Sequence, residues 1–225
     1  MPFTVSHSSV AIPLRKFGFS LPALVIGSMS PDFSYMQELF VPTMNAHNLY
    51  GLFVYCLPMS LIVFSIYTKL VEKWLVEVFP WIKPAAQTSF LMVALSLFVG
   101  AASHVLWDSF THATGFFVQL IPALRQEYFS VRLFKALQHA STLLGGGYIL
   151  WVIYSVTDEF KILIGNFTGL KALAAIYLIT GLVVTSCATF AFNNPINGFK
   201  VAVELLFSVF IALTIYGVYK TIREN

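Results

Sequence analysis

The stretch from Phe90 to His112, FLMVALSLFVGAASHVLWDSFTH, decides how this chain folds and where its chemistry gathers. From Phe90 to Leu106 it carries no charge, and it mixes Leu, Val and Phe with the Gly, Ala and Ser that membrane helices tolerate. A span needs about 20 such residues to cross a hydrocarbon core of about 30 Å. Leu49 to Leu70 repeats the pattern with no charge before Lys69, and Ala172 to Phe192 and Leu205 to Tyr219 repeat it again.

Composition agrees. Of 225 residues, 58% are hydrophobic and 10% charged, against roughly 25% charged in a soluble domain. Charges this sparse cannot cover a water-facing surface. The expected fold is an all-α polytopic membrane bundle of five spanning helices, at 49–71, 87–112, 134–157, 169–192 and 199–220. Residues 1–48 form interfacial or re-entrant segments ahead of it. Ser6 to Phe17 reads as a short amphipathic helix at the interface. Leu21 to Met36 is apolar but broken by Pro22 and the Pro31–Asp32 pair, as in a re-entrant or tilted segment. Pro42, Pro80 to Pro84, Pro122 and the Asn193–Asn194–Pro195 turn mark linkers. No repeat or low-complexity tract divides the chain, so 1–225 reads as a single integral membrane domain.

Several function classes drop out. The net charge of +3 comes from scattered Lys and Arg with no polybasic run, so no nucleic-acid partner is expected. Met1 to Ser20 lacks the basic start and apolar run of a cleavable signal. Cys56 and Cys187 lie within apolar segments and read as small buried side chains. The 22 Phe read as packing and lipid-facing surface. Gly145-Gly146-Gly147 reads as a close helix contact, because a phosphate loop has no place inside a span.

Antiparallel spans sort the loops. Segments 37–48, 113–133 and 193–198 share one face; 72–86, 158–168 and the tail after 220 share the other. The second face holds Lys69, Lys73, Lys83, Lys161, Lys171, Lys220 and Arg223, which favours it as cytoplasmic. The first holds Arg125, Arg132, Lys135 and Lys200, and Arg15 and Lys16 narrow the difference if they lie there too.

The five histidines are His7, His47, His104, His112 and His139. The last four fall toward the first face, and His7 joins them if its helix lies there. Residues four apart advance by about 400° on a helix, so His104, Asp108 and His112 share a stripe. Imidazole and carboxylate are the ligands a zinc-like divalent ion takes. An ionised carboxylate near hydrocarbon needs a partner or a polar cavity, and Asp32 after Pro31 raises the same question. The plainer reading of the H-x-x-x-D pattern is interhelical hydrogen bonding among His104, Asp108 and Ser141.

With those residues in view, the sequence resembles an uncharacterised family of small bacterial integral membrane proteins. The shared marks are Met1-Pro2-Phe3-Thr4-Val5-Ser6-His7, Gly27-Ser28-Met29-Ser30-Pro31-Asp32, the His104 to His112 segment and Gln138-His139-Ala140-Ser141-Thr142, within residues 1 to about 150. That family is similar to membrane-bound metal-dependent hydrolases of bacterial inner membranes. A more distant similarity links the ligand order to zinc-dependent phospholipase C: His7, Asp32, His47, His104, Asp108, His112 and His139 follow its order. The phospholipase then has a Glu four residues on, where this chain has Leu143. The resemblance therefore implies one or two divalent ions, zinc first among them, in place of a three-metal centre.

Two functions fit. One is a metal-dependent hydrolase of a lipid or lipid-linked phosphoester, with membrane lipid as partner and the site on the non-cytoplasmic face. In it Asp32 or Asp108 serves as ligand or general base, and Arg125 or Arg132 holds a head group. The other is a non-enzymatic membrane protein: a metal or proton carrier, or an assembly partner, with a structural His/Asp cluster. Clustering at one face favours the first, since a carrier needs polar groups along a path.

Overall fold

The computed structural model describes residues 4–37, 45–78, 88–156, 171, 174–179 and 198–224. Within them the chain is mostly helical, with short turns and loops and a two-stranded hairpin, Glu127–Tyr128 against Val131–Arg132. Leu49–Glu77 and Phe90–Leu120, the latter breaking after Thr111, are long and apolar enough to cross a membrane. Only 28% and 33% of their most apolar windows are buried, unlike the core helix of a soluble protein. Leu133–Val156 and Gly198–Glu224 are also helical, near the expected bounds. Most of the expected helix 169–192, the linkers at Pro42, Pro80 to Pro84 and Asn193 to Pro195, and Cys187 lie outside the described residues.

Contacts divide the chain into two compact units. The first comprises Met1–Asp32, Asn45–Leu61 and Ala86–Val156. Its centre is the helix Leu21–Met29 laid against Phe90–Thr111, the most extensive helix pairing. At 1.5 Å per residue, Leu21–Met29 is about 14 Å long, too short to span. Pro22 sits in its first turn, where a missing N–H costs nothing. Gly27 and Gly100 make the pairing close: a Cβ on Gly27 would collide with the Leu97 carbonyl, and one on Gly100 with the Leu24 carbonyl. Leu24 and Leu97 are fully buried there.

Ser89 caps the long helix, accepting from the Met92 amide at 3.3 Å. The helix stops at Thr111 rather than running through His112, which takes an extended conformation. The loop that follows is built: Val118, Leu124 and Phe134 form a small core against Phe110, Phe117 and Leu133.

The N-terminal segment also differs from the expected single amphipathic helix. Short α-helical and 3-10 turns alternate from Thr4 to Phe17, and the buried side carries polar Thr4, Ser6, His7 and Ser8. These groups have partners in the unit, which is why the polar side turns inward. Ser6 donates to the Thr142 carbonyl at 3.1 Å, and Ser8 meets Ser28 at 3.1 Å. Gly145 abuts the Ser6 backbone, the close contact expected of the glycine run.

The second unit comprises Phe33–Met44, Ile62–Ala85 and Thr157–Asn225. In it Gly217 rests on the Leu70 backbone, and Lys220 pairs with Glu77 at 3.1 Å. Trp74 lies buried beneath Lys73 and Lys220, whose amines stand 4.1 and 4.8 Å from its ring.

Candidate metal centre

The first unit gathers His7, Asp32, His47, His104, Asp108 and His112 at the end of the Phe90–Thr111 helix. Each arrives by a local device. His104 and Asp108 share a helix face one turn apart, both buried. Asp32 ends the 3-10 turn after Leu21–Met29, delivered by the glycine-tight pairing. His47 sits in the turn before the helix that starts at Leu49. Its amide donates to Asn45 Oδ1 at 2.9 Å, while Asn48 Oδ1 caps Gly51 at 2.7 Å. His7 stacks on His104 with ring centroids 3.8 Å apart.

The distances fit a metal site as well as an ion-pair network. His47 Nε2 lies 3.3 Å from Asp32 Oδ1 and 3.7 Å from Asp108 Oδ2, and His104 Nε2 lies 3.5 and 3.3 Å from the same two oxygens. Charge-assisted hydrogen bonds between nitrogen and carboxylate run at about 2.7–2.9 Å. These separations are longer. They match the edge of a tetrahedron around a zinc-like ion: bonds of about 2.1 Å put neighbouring ligand atoms about 3.4 Å apart.

Proton placement agrees. His104 Nδ1 lies 2.6 Å from the Ser28 carbonyl, a pure acceptor, so Nδ1 carries the hydrogen. His104 Nε2, fully buried and without a hydrogen-bond partner, faces two carboxylate oxygens, and a proton or a metal ion held there would balance them. A backbone carbonyl fixing the tautomer of a ligating His is the usual outer-shell arrangement. His7 Nε2 and Asp108 Oδ1, 3.4 Å apart, are likewise buried without hydrogen-bond partners. Burial, then the neighbouring His104, pushes His7 down to a pKa of about 3, which makes His7 a neutral donor. Burial pushes Asp32 up, but His104, His47 and the Thr4 hydroxyl outweigh it and hold the carboxyl below its ordinary value. Two overlapping ligand groups result, His7–His104–Asp108 and Asp32–His47–His104, and either could hold a metal ion.

His112 and His139 fare differently. His112 Nδ1 is 3.3 Å from Asp108 Oδ1, while its Nε2 lies 3.4 Å from Gln138 Nε2. Lys135 donates to Gln138 Oε1 at 2.7 Å, which assigns the amide nitrogen to the His112 side. Gln138 then donates to His112 Nε2, leaving Nδ1–H to donate to the Asp108 backbone carbonyl at 3.3 Å. His139 is exposed and lies in neither ligand group; its neighbour Gln138 is buried in its stead. Sequence reasoning passed over Gln138, Thr4 and the Ser28 carbonyl. The spacing of buried Phe134 and Gln138, one turn apart, carries the signal for the first. Thr4 donates to Asp32 Oδ2 at 2.6 Å, leaving Oδ1 to face the histidines.

The class these features define is an all-α protein with two helices long and apolar enough to cross a membrane and a buried His/Asp cluster able to hold a metal ion. The chain belongs to the family described as Domain of unknown function (DUF4184), which matches residues 1–221. Comparison with curated proteins and with solved structures gives no match.

Proposed function

We propose that this chain is a polytopic bacterial inner-membrane protein of about five spans that holds a zinc-like ion. In this reading it hydrolyses a phosphoester of a lipid or lipid-linked substrate at the non-cytoplasmic surface. The observation that carries the reading is the set of four distances of 3.3–3.7 Å joining His47, His104, Asp32 and Asp108. The resemblance to membrane-bound hydrolases and the phospholipase-like ligand order support the reaction class.

A bound divalent ion lowers the pKa of a bound water and polarises a phosphoryl oxygen. The chain's own residues supply the rest. His47, Asp32, His104 and Asp108 provide ligand atoms, and His7 stands beside them as the next donor. Asp108 faces the ligands with Oδ2, and its Oδ1 has no hydrogen-bond partner, so Oδ1 is the oxygen placed to take a proton. Asp32 is less suited to that role because Thr4 already occupies its Oδ2. The side chains of the cluster most open to approach are His47 and His112, 19% and 25% exposed, so a phosphoester enters past them.

Elemental analysis of detergent-purified protein tests the reading, with hydrolysis of a phospholipid and of a soluble phosphomonoester followed in parallel. Asp108→Asn is expected to insert and purify yet lose metal and hydrolysis. Ser109→Ala, whose hydroxyl only bonds the Leu106 carbonyl, is expected to keep both. Equal metal content in the two variants refutes the ligand assignment. Metal without hydrolysis of either substrate in the parent refutes the hydrolase and leaves a metal carrier.

A further inference from the structure

The excursion between the long helix and Leu133–Val156 carries a feature that the metal centre does not use. Its hairpin turns through Phe129 and Ser130, both left-handed at φ 50° and 63°. Two central residues with positive φ make the type I′ turn, which favours Asn-Gly because other side chains are strained there. A phenylalanine in this position is a poor local choice. Within the chain it gains nothing in return, since its side chain is fully exposed, at 102% of the reference area. Whatever offsets the strain lies outside the protein.

The surroundings identify what that is. Tyr128 and Val131 flank the tip and are exposed, and Phe116 and Leu120, on the short helix continuing the apolar stretch Phe90–Leu120, are exposed as well. Arg125 and Arg132, both exposed, form no ion pair among the described residues, and the one acidic group of the hairpin is Glu127, opposite Arg132. An aromatic tip, an apolar rim and free arginines form the pattern of an element seated at a lipid–water interface, with rings among the head groups and guanidinium groups on phosphate. The seat is firm, because the excursion packs on its own core of Val118, Leu124 and Phe134. It leaves the long helix at His112 and returns into Leu133–Val156 five residues before Gln138, which donates to that same histidine.

We infer that the hairpin Glu127–Arg132 is an interfacial anchor, inserting Phe129 into the head-group layer of a phospholipid membrane beside the mouth of the metal centre. The partner is the bilayer surface with its phosphate groups, so the site opens onto lipid head groups. The inference rests on the chain being integral to a membrane and is independent of any hydrolytic activity.

Phe129→Trp in the full chain, reconstituted into nanodiscs of phosphatidylcholine and phosphatidylglycerol, tests this. Brominated acyl chains serve as quenchers, placed near the glycerol or near the chain end. The four native tryptophans supply the background to subtract. The added emission is expected to be blue-shifted, lost with bromine near the glycerol, and barely touched by bromine at the chain end or by aqueous acrylamide. An increment that emits like a water-exposed indole, is quenched by acrylamide and ignores brominated lipid overturns the anchor. If the native tryptophans, Trp107 and Trp151 among them, are quenched by lipid while the increment is not, the anchor alone fails. If none is quenched, the membrane reading fails with it.

Discussion

Gly100→Ala probes how the helix pairing holds the site. A Cβ at position 100 meets the Ser28 amide nitrogen at 2.7 Å and the Gly27 carbonyl carbon at 3.1 Å, all backbone, with the Leu24 carbonyl closer still. Restoring an ordinary contact of 3.4 Å to Ser28 alone requires the two helices to part by about 0.7 Å (3.4 − 2.7). That shift carries away the Ser28 carbonyl, stretching its 2.6 Å bond with His104 Nδ1 toward 3.3 Å, where little of it survives. Overpacking of this kind costs about 1–3 kcal/mol. Losing the group that orients a ligating His typically weakens metal binding about 10- to 100-fold. Gly147→Ala is the matched control, since its Cβ meets nothing within 4 Å; it is expected to be neutral or slightly stabilising. Thermal unfolding in detergent and competition with a zinc chelator read the two effects separately. A Gly100→Ala protein that loses stability yet binds metal as tightly as the parent would refute the coupling of Ser28 to the site.

Gln138→Ala is expected to weaken metal binding by about 10- to 100-fold through His112 and Asp108, and His139→Ala to leave it unchanged; chelator competition showing the reverse would return His139 to the ligand set. Metal-free protein is expected to lose stability as pH falls through the window between the ordinary His value of 6.5 and the His7 value of about 3. In that window the unfolded chain binds the proton that folded His7 refuses, so stability rises with pH by up to about 1.4 kcal/mol per unit. Asp32, held low when folded, adds loss in the same direction at the acid end. Chemical unfolding between pH 4 and 7 checks both, and a flat profile would mean that His7 is solvated in solution.

The long apolar helices were legible from their uninterrupted composition, and His104 with Asp108 from the four-residue step. The meeting of His7, Asp32 and His47 with that pair was legible as a shared face, though not as contacts. Other features depend on facts that residue type does not carry. Choosing Gln138 over His139 needs the phase of the helix about its axis, which Phe134 sets through its own burial. The Ser28 carbonyl is backbone, invisible to any search for side-chain ligands. Within the described residues, both wide turns of Leu49–Glu77, Leu52–Cys56 and Tyr67–Val71, are π-helical, and neither holds a residue whose identity signals it.

The full burial of His104, set against the partial exposure of His47, has a consequence for how the centre is filled and emptied. The residue shared by both groups lies behind the outer ones, so an ion held there would exchange with the medium past the turn at Asn45–Asn48 that carries His47. That turn is pinned by two asparagine side chains and by Cys56 against the Ala46 carbonyl. The residence time of such an ion would therefore follow how often this turn opens, and two proteins of equal affinity would lose it to a chelator at different rates if the turn differed.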